Sequence, residues 1–277
     1  MRHELGFQNS VSLHVTLVPW IAAAGELKTK PTQHSVAALR QVGIQPEFLV
    51  CRTERPLDDE IKKKIGLFCN VPVEHVIEGR DAETIYEVPL LLAKEGIDQK
   101  LSQALNIWSR AADLKEWKRI VQRIKKPKHH VTIGIVGKYV DLTESYKSLN
   151  EALLHGGIAN NSGVDLKFID SEKLSSKTLE KEVEGCDGLL VPGGFGERGV
   201  EGKILAIQYA RENSIPFFGI CLGMQLLCVE FARNVAGLED ANSTEFDENT
   251  KYPVITLMAD QVDVEDKGAT MRLGAYP

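Results

Sequence analysis

No C-x-x-C pair occurs in this sequence, and its five cysteines, Cys51, Cys69, Cys186, Cys221 and Cys228, form no dense framework. A zinc ribbon and a thioredoxin-type motif are thereby set aside, and the odd count fits a reducing cytoplasm. Long apolar runs are missing too. The best, Val11 to Gly25, is broken by His14, Thr16 and Pro19, whereas a membrane span takes about 20 apolar residues. The acid at Glu4 and the mixed character of that run also exclude a signal peptide. Positive charge is not in excess: 33 Lys and Arg against 39 Asp and Glu leave a net charge of −6. A global basic field for nucleic acid is absent, which leaves room only for a local basic pocket. Glycine, at 23, and proline, at 11, are too few for a collagen-like or low-complexity chain. No internal repeat is visible.

What the sequence does hold is two sets of alternating segments in 277 residues, enough for about two domains. In the first set, strands are expected at 11–18, 48–51 and 76–77, and helices at 32–41, 58–67 and 83–94, the last carrying Pro89. Strand–helix alternation implies βαβ units and a mostly parallel sheet. Asp113 then reads as an N-cap for an amphipathic helix over 114–124, with Leu114, Trp117, Ile120, Val121 and Ile124 on one face. Lys125 to His130, with Pro127 inside, reads as a solvated linker. A second set follows, with strands at 131–136, 164–170, 188–191, 215–220 and 254–258. Its helices are expected at 145–158, 174–183, 201–213 and 222–235. The fold class expected is α/β: two mostly parallel, doubly wound domains joined by a helical linker. Their limits are 1–107, 108–130 and 131–277.

The segment Gly219-Ile220-Cys221-Leu222-Gly223-Met224-Gln225 carries the most chemistry. An apolar strand meets a helix at Cys221, with glycine two residues to either side. That is a nucleophile elbow with Cys in place of Ser. A helix N-terminus favours the thiolate, and the next backbone N–H, that of Leu222, can serve an oxyanion. The bland alternative is a buried structural Cys. Cys228, seven residues on, reads as core. Upstream, Leu189-Leu190-Val191-Pro192-Gly193-Gly194-Phe195-Gly196 ends a strand in a glycine-rich turn at the same carboxyl edge. Ligands bind at that edge in open α/β sheets, so Gly194 is a second candidate oxyanion donor. Two fragments mislead. Gly194-x-Gly196-x-x-Gly199 mimics a dinucleotide fingerprint, but Pro192 interrupts the strand end and Gly219 stands where the ribose acid is due. Gly137-Lys138 lacks the rest of a Walker A loop and reads as structural.

Pro-Gly-Gly-Phe-Gly at 192–196 followed by Gly-Ile-Cys-Leu-Gly-Met-Gln at 219–225 resembles a class I glutamine amidotransferase domain. Ala241-Asn242-Ser243-Thr244-Glu245-Phe246 narrows the likeness to the CTP synthase family, and Gly25-Glu26-Leu27-Lys28-Thr29-Lys30-Pro31-Thr32-Gln33-His34-Ser35 looks like the nucleotide loop of that family's amidoligase domain. The resemblance runs from about Leu13 to Gly274. It implies ATP-dependent amination of UTP to CTP, with ammonia released from glutamine and passed between the domains.

By that resemblance Cys221 forms the glutamyl thioester, Gly194 and Leu222 hold the oxyanion, and Gly223, Met224, Gln225 and Glu245 belong to the glutamine site. Taken alone, Glu245 reads as a surface acid. Lys28, Thr29, Lys30, Pro31, Thr32 and Gln33, with Lys64, are assigned to UTP and to the inhibitor CTP. Without the resemblance, a solvated loop would serve Lys28 and Lys30 equally well. Arg80, Asp81 and Ala82 are assigned to ATP, and Arg52 to a phosphate. GTP is implied as activator near Phe195 to Arg198, and a homotetramer is implied, with filaments as an option. No nucleic acid, membrane or metal site is expected in this portion. The family's P-loop and Mg²⁺-binding acids are expected upstream of Leu13. Its His-x-Glu segment is expected late, yet all seven histidines precede Cys221. The chain is therefore expected to be an inactive internal portion of a cytoplasmic ligase. Two rivals remain: another class I amidotransferase, and a non-catalytic CTP- or UTP-sensing or filament-forming module.

Overall fold

The computed structural model describes residues 2–138 and 146–256. The end of the strand expected over 254–258 and the start of the helix expected over 145–158 lie outside the described residues. The chain divides into two compact units, Met1–Lys125 and Lys126–Pro277.

The first unit opens with a short helix α1 (Arg2–Leu5), strand β1 (Leu13–Leu17) and a hairpin of β2 (Trp20–Ile21) and β3 (Glu26–Leu27). Helix α2 (Lys30–Gln41) follows, with Pro31 in its first turn, where a missing N–H costs nothing. After β4 (Phe48–Thr53), helix α3 (Asp59–Cys69) is capped by Asp58, whose side chain accepts from the Ile61 N–H at 2.8 Å. Acids at 59 and 60 suit that N-terminus. Strand β5 (Val76–Arg80) completes a parallel sheet in the order β1-β4-β5. Val36, Leu49, Ile65 and Val76 fill the core between sheet and helices. Leu13, Val15 and Leu17 alternate along β1, at the sheet's edge, and remain 37%, 57% and 54% exposed.

The helix expected over 83–94 is shorter than its pattern. It begins as α4 (Val88–Lys94), behind a 3₁₀ turn at Ile85–Glu87 capped by Thr84. Pro89 explains the shift, since proline is tolerated only in a helix's first turn. Helices α5 (Ile97–Ala104) and α6 (Lys115–Lys125) close the unit. Asp113 does accept from the Lys115 N–H, at 3.0 Å. Helix α6 docks on the 3₁₀ turn: the Trp117 indole donates to the Tyr86 carbonyl at 2.6 Å, and Lys125 pairs with Glu83 and Glu87.

The second unit runs β6 (His129–Gly137), α7 (Lys147–Asn160), β7 (Ser162–Asp170), α8 (Leu179–Val183), β8 (Gly188–Val191), α9 (Val200–Glu212), β9 (Phe217–Gly219) and α10 (Leu222–Asn234). A small parallel pair, β10 (Ala241–Ser243) and β11 (Tyr252–Ile255), follows. The main sheet is parallel in the order β7-β6-β8-β9. The chain steps one way from β6 to β7, then the other way to β8 and β9. A crevice therefore opens at the carboxyl ends of β6 and β8, the usual seat of ligands in such sheets. The helix expected over 174–183 contracts to α8. Thr178 donates to the Lys173 carbonyl and accepts from the Ser175 N–H, a local alternative that competes with helix. Among the described residues, no helix is long and apolar enough to cross a membrane.

Candidate active site

Cys221 lies in the break between β9 and α10, with φ 50° and ψ −105°. That conformation is costly for any residue bearing a Cβ, on the order of 1–3 kcal/mol. The surrounding packing enforces it. A Cβ on Gly223 would stand 2.2 Å from the Val191 carbonyl oxygen, and one on Gly219 would stand 2.5 Å from the Gly223 carbonyl carbon. The first turn of α10 is thus pressed against the ends of β8 and β9, and only glycine fits at those two positions. The buried Leu222 and Leu226 anchor that turn in the core.

The turn after β8 is brought to the same place. A Cβ on Gly193 would lie 3.5 Å from the Cys221 Cβ, and one on Gly194 would lie 3.6 Å from Leu222 Cδ2. Cys221, which is exposed, therefore lies beside two backbone segments that carry N–H donors. Glu245, in the loop after β10, reaches this turn as well: its Oε1 accepts from the Gly196 N–H at 3.2 Å. Met224 and Gln225 occupy the first turn of α10, Met224 half exposed and Gln225 partly buried. Cys221, Gly194, Leu222, Gly223, Met224, Gln225 and Glu245 are therefore gathered at one sheet edge. Cys228 is not core but exposed. Burial pushes the Cys51 thiol up to about 12 and raises those of Cys69 and Cys186. Such thiols are poor nucleophiles.

The candidate loop of the first unit lies at the carboxyl edge of β1, β4 and β5. Thr32 is buried, donating to the Leu17 carbonyl at 2.9 Å and accepting from Thr16. Gln33 donates to the Thr29 hydroxyl at 3.1 Å. These contacts fix the start of α2 and leave Lys30 and Pro31 exposed. Lys28 pairs with Glu26 and holds its carboxyl below the usual range, with Lys64 adding to that effect. Thus Lys64, on α3, shares the electrostatic neighbourhood of Lys28. Arg52 reaches Asp81 at 2.9 Å, while Arg80 lies 3.7 Å from Glu78. Ala82, partly buried, follows directly. Thr53 pairs with Arg80 in register, so these residues stand side by side at the strand ends.

Three features carry no signal in the sequence. Glu26 neutralises part of the lysine loop. Lys138 donates to the Phe195 carbonyl. Lys203, in the first turns of α9, is buried, and burial lowers its pKa to about 8. Among the described residues, no group of three or more His, Cys, Asp or Glu is placed to hold a metal ion.

Comparison with known proteins agrees with the two-part organisation. Residues 1–107 match the family described as CTP synthase N-terminus, and residues 141–277 match glutamine amidotransferase class-I. CTP synthase of Syntrophus aciditrophicus (strain SB) is 59% identical over 276 residues, covering 100% of this chain and 51% of the relative. CTP synthase of Methanocaldococcus jannaschii is 57% identical over 282 residues, covering 100% of this chain and 52% of the relative. The chain spans about half the length of the curated relatives it matches. Among solved structures, the Trypanosoma brucei CTPS glutaminase domain with bound acivicin is 43% identical, with a TM-score of 0.45. That match covers 47% of this chain and 51% of the other.

Proposed function

The chain belongs to the CTP synthase family, and from that premise we propose that it serves the glutamine-dependent amination of UTP to CTP. The observation that carries the reading is Cys221 itself: a thiol in a costly backbone conformation, seated by two obligatory glycines against a turn of N–H donors. In this reading the Cys221 sulfur attacks the carboxamide carbon of glutamine. The carbonyl oxygen becomes an oxyanion held by the Gly194 and Leu222 N–H groups. Collapse breaks the C–N bond as the leaving nitrogen takes up the proton given up by the thiol, which releases ammonia and leaves a glutamyl thioester that water hydrolyses to glutamate and the free thiol. Glu245 pairs with the α-ammonium of glutamine by a charge-assisted bond. Gly223 lets α10 approach the sheet, while Met224 and Gln225 border the glutamine.

In the first unit, Lys28 and Lys30 bind the triphosphate of UTP or, in competition, CTP. The start of α2, from Thr29 to Gln33, offers backbone donors to the same anion, and Lys64 adds charge. Arg80, Asp81 and Ala82 form the ATP side, with Arg52 nearby. ATP activates the uracil 4-oxygen, and ammonia displaces the phosphate. GTP activation, tetramers and a cytoplasmic setting complete the proposal and are supported by family membership alone. Residues 1–107 favour this reading over other class I amidotransferases.

The test separates the two chemistries. In the enzyme carrying this chain, Cys221→Ala should abolish glutamine-dependent CTP formation and leave synthesis from supplied ammonia near the parent rate. Survival of the glutamine-dependent reaction would refute the assignment. Loss of both activities in a folded variant would refute it too.

A further inference from the structure

In the turn that carries Gly194, one peptide unit is held from both sides. On one side of the Phe195–Gly196 peptide, the Phe195 carbonyl accepts a hydrogen bond from Lys138 Nζ, at the end of β6. On the other side, the Gly196 N–H donates to Glu245 Oε1 at 3.2 Å. A peptide unit has a dipole of about 3.5 D. Here an ammonium sits at the oxygen end and a carboxylate at the N–H end. Both charges therefore favour the same orientation of the peptide.

That orientation needs a cause. Gly196 has φ +77°, a region glycine enters about as readily as its mirror image. A Cβ built on Gly196 would meet nothing within 4 Å. Packing at Gly196 does not select the peptide's direction, whereas both charged groups favour the one observed. They come from opposite ends of the unit's sequence, residues 138 and 245, and meet on one bond.

We infer that Lys138 and Glu245 are paired positioning residues: together they fix the Phe195–Gly196 peptide, and through it the direction of the Gly194 N–H towards the thiol of Cys221. The inference rests on the glutamine reading for the role of Gly194. It gives Glu245 a second task besides receiving an α-ammonium. A carboxylate has two oxygens and about four acceptor sites, so Oε1 can stay on Gly196 while Oε2 takes the substrate. Lys138 is then a lysine of the glutaminase centre that touches no reacting atom.

The test uses the 277-residue chain and two readouts. The first is the amide resonance and hydrogen exchange of Gly196 in [¹⁵N]glycine-labelled protein. The second is the rate at which Cys221 reacts with a chloromethyl ketone shaped like glutamine, divided by its rate with iodoacetamide. The ketone passes through an oxyanion and carries an α-ammonium, whereas iodoacetamide needs neither. In the parent chain, the Gly196 amide should be protected and the ketone should prefer Cys221 to Cys228. Lys138→Met should shift the Gly196 resonance and lower the rate ratio by about tenfold, the scale of one lost charge-assisted bond. Lys138→Arg should restore both. Glu245→Met, which removes the acceptor, should release the Gly196 amide. An unchanged Gly196 amide in Lys138→Met, an unchanged ratio, or an equal fall with both reagents would overturn the inference. If the parent chain shows no preference for the ketone, the glutamine reading fails, and the role given to Lys138 fails with it. A protected Gly196 amide in that case would show that the peptide is gripped for some other purpose.

Discussion

Replacing Gly223 by Ala tests whether the elbow is set by backbone packing. The new Cβ would stand 2.2 Å from the Val191 carbonyl oxygen, 2.9 Å from its carbonyl carbon and 2.9 Å from its Cβ. None of these is the end of a flexible side chain. Val191 is fully buried in the middle of the sheet edge, and its carbonyl already accepts from the Ile220 N–H at 3.0 Å. Relief therefore requires the first turn of α10 to retreat from β8 by roughly 1 Å. Overpacking a well-filled core costs about 1–3 kcal/mol, and rigid backbone neighbours place this case at the upper end. For a unit of this size, about 3 kcal/mol corresponds to a midpoint lowered by roughly 6–12 °C. The same retreat draws Cys221 away from Gly194, so ketone labelling of Cys221 should fall as well. Gly156, in α7, is the internal control, because a Cβ there would meet nothing within 4 Å. Gly156→Ala should raise the midpoint, since alanine is favoured over glycine in helices by about 1 kcal/mol. The assay is thermal denaturation followed by circular dichroism, with labelling read by mass spectrometry. A Gly223→Ala protein with the parent midpoint and parent labelling rate would refute the reasoning.

Lys203→Met should stabilise the protein at neutral pH. The lysine is charged in both states below pH 8, and burial penalises that charge only when folded. The penalty fades as pH rises from about 8 towards 10.5, where the unfolded chain still holds the proton. The full shift corresponds to roughly 3 kcal/mol. Residual solvent screening makes about 1 kcal/mol the expected gain at pH 7, and melts at pH 7 and pH 10 would expose an equal gain at both as a failure. Arg211→Met should lower the midpoint, because it strips the charged partner from Glu230, which is fully buried and held by Arg211 at 2.9 Å, and leaves only the Asn234 amide on it. Adding Glu230→Met should recover much of the loss, and a further fall would contradict the account. In the enzyme carrying this chain, Lys28→Ala should weaken UTP use and CTP inhibition together, by roughly tenfold or more for a charge-assisted contact. Unchanged kinetics for both would exclude the loop as their shared pocket. Native-state alkylation should modify Cys221 and Cys228 well before Cys51, whose thiol is pushed up to about 12. Early labelling of Cys51 would show that its burial is transient.

The elements most legible in the sequence were those whose signal is local. β8 occupies the four residues its apolar run marks, and α10 starts at the residue after Cys221. Both follow from side chains that a short window contains. The elbow was legible for the same reason, since its two glycines flank the thiol. The β2–β3 hairpin was not, because two-residue strands leave no period to read. The truncated α4 and α8 show capping chemistry overriding a longer apolar pattern, through Pro89 in one and Thr178 in the other. Partnerships across long separations were invisible. Nothing near Lys138 announces Phe195, and nothing near Glu26 announces that it shares Lys28 with a future anion. The glycine turn and Glu245 were placed together only by resemblance, and it took the folded unit to bring the Gly196 N–H within one hydrogen bond of the Glu245 side chain.

The backbone angles of Cys221 have an evolutionary corollary. Glycine would occupy φ 50°, ψ −105° with little of the 1–3 kcal/mol that a Cβ costs there. Drift therefore has a downhill exit at this codon, open in any lineage that ceases to use the thiol. Among descendants that have lost the chemistry but kept the fold, glycine should accumulate at position 221 while Gly219 and Gly223, which the packing demands, stay fixed. Sequencing such lineages would thus reveal the loss of function at a single residue, with Gly219 and Gly223 reporting that the fold is kept.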